Sequence, residues 1–275
     1  MFLGLAQDFD NNFATPLECF NNERSLVKVD GKFHLISNIC PHQQSKISKC
    51  ATEHLQCPYH GLQFDLTGHG VDNSYVLEQS TVYQYGPLLL STPLNYDFPV
   101  DLGSMQLAEH RTDIVNAPVE VVMDVFLDID HIPHAHAGVY NQIAISSVDH
   151  LTYTTFDQGS IQLVPADDTG HMHQDDVNYN FGACWIALYP GTMIEWQPGA
   201  LFVTVAHSLS SSACAVEVYK YKDTKYWLEA WSLNEKVWEE AWHQDKELSE
   251  NIVRLSVENL DSLKQHHRNW INNAV

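Results

Sequence analysis

The sequence has few basic residues. Only 14 of its 275 residues are Lys or Arg, against 35 Asp and Glu, which gives a formal net charge of −21. Nucleic acids and anionic membranes bind basic surfaces, so we expect neither as a partner. An acidic protein of this kind fits a partner that carries a basic docking face.

Long apolar runs are also missing. The most apolar short stretch, residues 200–206, is far below the roughly 20 residues that span a bilayer. The chain reaches Asp8 and Asp10 with no basic region before them, which predicts that there is no signal peptide. Six cysteines in a chain of this length do not indicate a disulfide framework. We therefore predict a cytoplasmic protein whose cysteines are reduced or bind metal.

The composition that remains is that of a folded protein, with 44% hydrophobic residues, 11% aromatic residues and 16 histidines. From residue 24 to about 100 the pattern is one of short strands and turns, including a hairpin at Asp30-Gly31. Prolines 87, 93 and 99 indicate a loop-rich exit from this region. The sequence thus predicts two domains, residues 1–100 and residues 101–275.

The second domain mixes helix and strand patterns. An apolar helical segment is predicted over residues 115–136, with Asn116 as a possible cap. Strand-like stretches follow between residues 151 and 220, and residues 233–270 are typical of one or two long helices. The pattern predicts an α+β domain after a first domain made of strands.

Two short motifs combine cysteine with histidine. The first is Cys40-Pro41-His42, and fourteen residues later the second runs from Cys57 through His60 to a glycine. Two thiolates and two imidazoles can hold either a tetrahedral zinc ion or a [2Fe–2S] cluster with two Cys on one iron and two His on the other. Zinc fingers usually pair Cys with Cys and His with His. Here each motif supplies one of each, which favours the cluster over the zinc site.

This double motif, with Pro after each Cys and Gly after the last His, resembles the Rieske iron–sulfur family. The resemblance implies a Rieske [2Fe–2S] cluster held by Cys40, His42, Cys57 and His60. Ser45 and Tyr59 stand where Rieske proteins of respiratory complexes carry two further, bridging cysteines. The chain is therefore most similar to the Rieske ferredoxins and oxygenases.

A third motif has the pattern Asp128-x-x-His131-x-x-x-x-His136. Two His and one carboxylate form the facial triad of non-haem Fe(II) enzymes, and Pro133 favours a helix end or kink that lets both His reach one metal. The motif resembles that of Rieske oxygenase α subunits, nearest to the choline monooxygenase and pheophorbide oxygenase branches. The resemblance implies that His131 and His136 bind iron, and that Asp128 is a bridging carboxylate that carries electrons to the iron site. His134 is interpreted as a non-ligand.

The third iron ligand is predicted to be Asp245. At about 100° per residue, Asp245 shares one helix stripe with Trp238 and Trp242, whereas the glutamates at positions 239, 240, 247 and 250 point away. A carboxylate among buried tryptophans is costly unless it is paired or binds metal. Residues 244–252 also resemble the family segment that holds this ligand.

Aromatic residues offer walls for a substrate pocket. We expect Tyr189 and Trp196, on the strands, to lie at the pocket. The aromatic stripe of the C-terminal region is interpreted as helix packing; it comprises Trp227, Trp231, Trp238 and Trp242.

The resemblance implies an α+β fold in which an all-β Rieske [2Fe–2S] domain precedes a helix-grip, START-like catalytic domain with an antiparallel sheet and a long C-terminal helix. It implies a terminal oxygenase that carries the [2Fe–2S] cluster and a mononuclear Fe(II). Such an enzyme uses O2 and electrons from an external reductase or ferredoxin to hydroxylate or oxidatively dealkylate a small organic substrate. A homotrimer is implied as well.

Two alternatives remain open from the sequence. One is a Rieske electron-transfer protein fused to a ligand-binding domain that has no oxygenase activity. The other is a zinc-stabilised binding protein.

Overall fold

The structure is a computed structural model. It describes residues 1–17, 20–47, 54–94, 102–128, 131–136, 138–139, 152–156, 159–163, 184–197, 199–224, 228–252 and 262–274. The chain divides into two compact units, Met1–Gly103 and Ser104–Val275. The described sheets are built from antiparallel pairs, with helices confined to the second unit apart from single 3-10 turns. This architecture confirms the predicted α+β class.

The first unit consists of short strands. They are β1 (Phe2–Leu5), β2 (Ala14–Pro16), β3 (Arg24–Val29), β4 (Lys32–Ser37), β5 (His54–Gln56), β6 (Gln63–Asp65), β7 (Gln79–Ser80), β8 (Tyr83–Tyr85) and β9 (Leu88–Leu90). Their sheets have the orders β1-β9-β8, β2-β3-β4-β7 and β5-β6.

The predicted hairpin at Asp30-Gly31 is confirmed. It joins β3 to β4, and both turn residues have positive φ angles, 49° for Asp30 and 75° for Gly31. Two successive positive φ values match the twist of the flanking strands and are the mark of a type I′ turn. The hairpin brings Val27 and Ile36 into one buried cluster with Cys40 and other apolar residues. The core of the unit thereby fixes where the first Cys–His motif begins.

The second unit has one large sheet and four helices among its described residues. The strands are β10 (Met105–Val115), β11 (Thr152–Phe156), β12 (Gly159–Leu163), β13 (Cys184–Leu188), β14 (Thr192–Gln197), β15 (Ala200–Ser210) and β16 (Ala213–Asp223). The helices are α1 (Val119–Leu127), α2 (Ile132–Ala135), α3 (Leu228–Asn251) and α4 (Ser262–Ala274). The sheet has the order β10-β16-β15-β14-β13-β12-β11.

Helix α3 lies against this sheet through its tryptophans. The ring of Trp238 stacks on Phe202 of β15 with 5.1 Å between centroids, and Trp242 stacks on Trp238 at 6.1 Å. Large aromatic surfaces of this kind dominate the energy of a helix–sheet contact. The predicted long C-terminal helix and antiparallel sheet are thus confirmed, and the helix packs on the sheet.

The predicted helical cap at Asn116 is wrong. Helix α1 begins after Pro118, and no side chain caps its first turn. Asn116 lies two residues before that position, and its main-chain and side-chain N–H groups donate instead to Glu250 at 3.0 and 3.2 Å. The tertiary contact with α3 takes the place of a local cap.

Glu239 also differs from its predicted outward position. Its carboxylate pairs with Arg111 on β10 and with Lys220 on β16, and Lys220 is only 1% exposed. The ammonium group of Lys220 lies 5.6 Å from the ring centre of Trp238 as well. The partly buried charge network therefore ties α3 to the edge of the sheet.

Across the part of the chain that the structure describes, the helices are too short or too polar to cross a membrane.

Candidate active site

The two Cys–His motifs form loops with the same local geometry. In each loop the cysteine N–H donates to the carbonyl five residues later at 2.8 Å, and the cysteine carbonyl accepts from the N–H four residues later at 2.9 Å. The residue at that fourth position has a positive φ, 54° for Gln44 and 71° for Gly61. Glycine adopts this conformation freely, which explains Gly61. The repeat of one loop geometry is what a pair of equivalent ligand loops requires.

The four predicted cluster ligands divide into a buried pair and an exposed pair. Cys40 and Cys57 are buried, at 0% and 1% exposure, and lie within hydrogen-bonding reach of each other. The rings of His42 and His60 are exposed and lie 4.9 Å apart. Burial acts to raise the pKa of the Cys57 thiol, but backbone N–H groups and Cys40 outweigh it and the net direction is downward. Thiolates inside and imidazoles outside are the donor set of a Rieske cluster.

His131 and His136 lie at the two ends of helix α2. His131 directly precedes the helix and His136 directly follows it, so one turn of helix separates them. Their rings meet edge to face at 74° with 4.9 Å between centroids. Helix α1 ends at Leu127, and α2 is a separate helix that begins at Ile132. This break lets two histidines five residues apart point to one place.

Asp245 of α3 completes this cluster. Nε2 of His131 and Nε2 of His136 are 3.0 Å apart, and Oδ1 of Asp245 lies 3.3 and 3.0 Å from them. Metal–ligand bonds of about 2.1 Å at right angles place neighbouring donors about 3.0 Å apart. The spacing of His131, His136 and Asp245, here called the triad, therefore fits one face of an octahedral metal. In the described chain they are also the group whose donor atoms converge within metal-binding range.

The electrostatics of the triad favour a cation between its members. Burial acts to raise the pKa of Asp245, but the two histidines outweigh it and the pKa is lowered. Burial acts in the opposite sense on His136, whose pKa is nevertheless raised by Asp245 and Gln244. A buried carboxylate that favours its ionised form, next to two imidazole nitrogens, is a donor set suited to a divalent metal. His134 is exposed and does not belong to this group.

Gln244 orients one of the triad histidines. Nδ1 of His136 donates to Oε1 of Gln244 at 2.8 Å, so Nε2 is the ring nitrogen that faces Asp245. Hydrogen bonds of this kind fix both the tautomer and the direction of a ligating histidine. No pattern in the sequence distinguishes Gln244 from its neighbours. Its position next to Asp245 is the one feature of the sequence that relates it to the site.

Replacing Gln244 by alanine is expected to weaken iron binding at the triad about 10-fold, because His136 loses its orienting partner. His243→Ala, at the exposed neighbouring position, is the matched control and should leave the affinity unchanged. The measurement is an iron titration of the protein after selective removal of the mononuclear metal. Equal affinity in Gln244→Ala and His243→Ala would contradict the orienting role.

A pocket opens beside the triad between the helices and the sheet. The space between its walls, counted with its opening to solvent, is about 590 Å³. Apart from the triad, its walls are Phe126, Asp128, Ile132, Trp185, Met193, Glu195, Phe202, Thr204, Trp238, Ala241 and Trp242. The pocket is thus mainly apolar, with five aromatic side chains in its walls and acidic groups at defined positions, a composition typical of small-molecule sites.

The predicted pocket walls Tyr189 and Trp196 are wrong. Trp196 is fully buried on β14, where side chains alternate between faces, and the neighbouring Glu195 faces the pocket instead. Tyr189 packs against His267 and Trp270 of α4. Of the stripe interpreted as packing, Trp238 and Trp242 both pack and line the pocket, and Trp227 lies outside the described residues.

Asp128 lies at the edge of this pocket and is held by Lys264 of helix α4. The Lys264 ammonium donates to Oδ2 of Asp128 at 2.5 Å, and the Asp128 side chain remains 32% exposed. One turn away on both helices, Arg268 pairs with Asp124 at 2.5 Å. Two acids four residues apart on one segment thus meet two bases four residues apart on another. The sequence contains this matched spacing of acids and bases, and the structure shows that the two pairs meet.

Part of the chain matches a known family. Residues 1–82 match the Rieske [2Fe-2S] domain family. Over most of its length the chain also has the fold of solved Rieske monooxygenases.

Particular relatives are distant. Putrescine 2-hydroxylase of Ralstonia nicotianae is 23% identical over an alignment of 219 positions, which covers 68% of this chain and 59% of that protein. The quaternary ammonium Rieske monooxygenase CntA, solved with L-carnitine, has a TM-score of 0.52 at 15% identity over 92% of this chain and 77% of its own. Dicamba monooxygenase, solved with 3,6-dichlorosalicylic acid, has a TM-score of 0.50 at 14% identity over 99% and 95%. The chain thus spans less than two thirds of its curated relative's length.

Proposed function

We propose that this protein is the terminal oxygenase component of a Rieske non-haem iron oxygenase. The observation that carries the proposal is the triad: two imidazole nitrogens and a carboxylate oxygen at 3.0–3.3 Å from one another, beside an aromatic pocket. A Rieske domain in the same chain supplies the complementary redox centre. The reaction is insertion of oxygen from O2 into a small organic substrate, by hydroxylation or oxidative dealkylation.

The ligand assignment follows from the donor sets. Cys40 and Cys57 would hold one iron of the cluster, and His42 and His60 the other. His131, His136 and Asp245 would hold the mononuclear Fe(II). When bound, the cluster supplies single electrons and the mononuclear iron activates O2.

The remaining residues of the site act on these ligands and on the substrate. Gln244 accepts the Nδ1–H of His136 and keeps Nε2 directed into the pocket. The sheet residues and the tryptophans of α3 exclude water from the buried part of the pocket, where electrostatic interactions are stronger than in solvent. Substrate is held against the aromatic wall, next to the triad.

Asp128 is proposed as the carboxylate that links the exposed His side of a Rieske domain to the triad. Its side chain is 32% exposed, whereas the other two pocket carboxylates, Asp245 and Glu195, are 13% and 7% exposed. Asp128 is therefore the pocket carboxylate that an approaching imidazole reaches first. Lys264 holds its carboxylate in place. A head-to-tail homotrimer, in which a neighbouring subunit presents its Rieske domain, is the assembly that we propose.

Electrons are proposed to come from an external reductase or ferredoxin. The net charge of −21 favours a donor with a basic face. The alternative function is a Rieske electron-transfer protein fused to a ligand-binding domain, and it requires that the triad binds no iron.

A substrate screen tests this function. Holoenzyme with a surrogate reductase is expected to convert at least one small organic compound into an oxygenated or dealkylated product, with product formed in proportion to the O2 consumed. Incorporation of ¹⁸O from ¹⁸O₂ identifies oxygenation at the product. Electron transfer without substrate-dependent O2 use across the screen, in protein that holds only about two irons per chain, would establish the alternative.

A further inference from the structure

One carboxylate of the pocket, that of Glu195, pairs with no Lys or Arg among the described residues. Three carboxylates line the pocket, those of Asp128, Glu195 and Asp245. Asp128 pairs with Lys264, and Asp245 lies between the triad histidines. In the part of the chain that the structure describes, no Lys or Arg forms an ion pair with Glu195. Glu195 is therefore the pocket carboxylate whose charge is left for a bound molecule to offset.

The sheet places Glu195 on the face that looks towards the helices. It is at the centre of β14, opposite Trp185 on β13 and Phe202 on β15, and all three line the pocket. Its carboxylate accepts hydrogen bonds from the side chains of Gln197 and Trp185, which are neutral donors. Two neutral donors hold the carboxylate in one position and leave its charge uncompensated.

Burial makes this charge costly. Glu195 is 7% exposed, and removal from water raises the pKa of its carboxyl to about 7. A cation bound beside the carboxylate would lower that pKa again and offset the cost of burying the charge. The position is thus suited to a partner with a positive charge.

A continuous row of aromatic rings begins beside Glu195 at Phe202 and runs along the wall of the pocket to the helices. Phe202 stacks on Trp238 at 5.1 Å, Trp238 on Trp242 at 6.1 Å, and Trp242 meets Phe126 at 5.9 Å. Aromatic faces attract organic cations and bury alkyl carbon at the same time. A carboxylate and a row of aromatic rings that starts next to it together offer a site for an organic ammonium group and its carbon skeleton.

We propose that Glu195 is the specificity-determining residue of the pocket, binding the ammonium group of a small organic amine substrate whose carbon skeleton packs on the aromatic row. This inference rests on the proposed oxygenase function, because it places the amine beside the triad. The ammonium donates hydrogen bonds to the Glu195 carboxylate, and the neighbouring carbons lie towards the triad histidines.

The variant Glu195→Gln separates charge from shape. The new amide keeps the size of the side chain and an oxygen that accepts from Trp185. Gln197, which now donates to Glu195, has a buried Oε1 without a hydrogen-bond partner among the described residues. Rotation of the Gln197 amide turns that oxygen towards the new side chain. The substitution is therefore expected to fold and to retain both metals.

The test measures binding by calorimetry to anaerobic holoenzyme. The probes are primary monoamines and diamines of three to eight carbons, each paired with the alcohol of the same skeleton. At least one amine should bind 10-fold or more tighter than its alcohol, the range for a hydrogen bond to a charged group. Glu195→Gln should remove this difference. Glu217→Gln, which takes the same charge from β16 outside the pocket, should keep it.

The outcomes separate this inference from the oxygenase function. Failure of every amine to bind better than its alcohol, or an unchanged preference in Glu195→Gln, would overturn the amine site. Loss of turnover in Glu195→Gln with an unchanged preference would assign the carboxyl a role in proton transfer instead. Amine binding that depends on Glu195 in an enzyme that oxygenates nothing would keep the site and overturn the proposed function.

Discussion

Replacement of Asp245 by alanine is expected to abolish oxygenation and to release the mononuclear iron, while the Rieske cluster stays bound. The carboxylate is the only anionic member of the triad, and its Oδ1 lies 3.3 and 3.0 Å from the two histidine nitrogens. Loss of a residue that only hydrogen-bonds to a metal ligand already costs about 10- to 100-fold in metal affinity or activity. Loss of the anionic ligand should therefore exceed about 100-fold in both, measured as product formed and as iron retained on dialysis.

The matched control for Asp245→Ala is Glu247→Ala on the same helix. Glu247 is exposed, so its removal takes away one negative charge without touching the pocket. Iron content and turnover are expected to remain at the wild-type level in this control. An Asp245→Ala protein that keeps the mononuclear iron and its turnover would show that the third ligand lies elsewhere, and the triad would be a structural cluster.

Replacement of Asp128 by asparagine is expected to leave both metal centres bound and to slow electron transfer between them by about 100-fold. This is the upper end of the roughly 10- to 100-fold loss of activity that is typical when a residue in contact with a metal ligand is replaced. The side chain keeps its shape but loses the charge that Lys264 holds in place. The measurement is a single turnover: chemically reduced enzyme is mixed with O2 and substrate, and cluster oxidation is followed by its absorption.

A second variant separates the carboxylate from its ion pair. Lys264→Met breaks the contact with Asp128 but keeps the carboxylate, so a loss of no more than about 10-fold is expected. Iron and sulfide contents serve as the control for both proteins. Normal single-turnover product formation in Asp128→Asn would rule out the bridging role, and equal losses in both variants would assign the effect to the position of helix α4.

The candidate site could be predicted from the sequence where local spacing controls the geometry. The Cys–His motifs are short loops whose backbone determines where the ligands point, and the pattern from Cys40 to His60 contains them completely. Helical periodicity placed Asp245 on the stripe of Trp238 and Trp242, and the structure brings its carboxylate to the two histidines. Whether these residues bind iron stays a prediction.

Residues that depend on tertiary contacts could not be predicted in the same way. Aromatic residues on strands predict Tyr189 and Trp196 as pocket walls, but strand alternation turns Glu195 to the pocket and Trp196 to the other face. Lys264 lies 136 positions from Asp128 in the chain. No local rule joins positions so far apart, and only the packing of α4 shows the contact. The role of Glu195 likewise depends on tertiary structure, because its neighbours Trp185 and Phe202 come from other strands of the sheet.

Iron in crystals of the holoenzyme is the most direct test of the central claim. Anomalous difference maps recorded on both sides of the iron K edge locate each iron without reference to activity. We expect two neighbouring iron peaks beside Cys40, His42, Cys57 and His60, and one separate peak within bonding distance of His131, His136 and Asp245. Maps without an iron peak at the triad, or with a peak there that appears only at the zinc edge, would contradict the account.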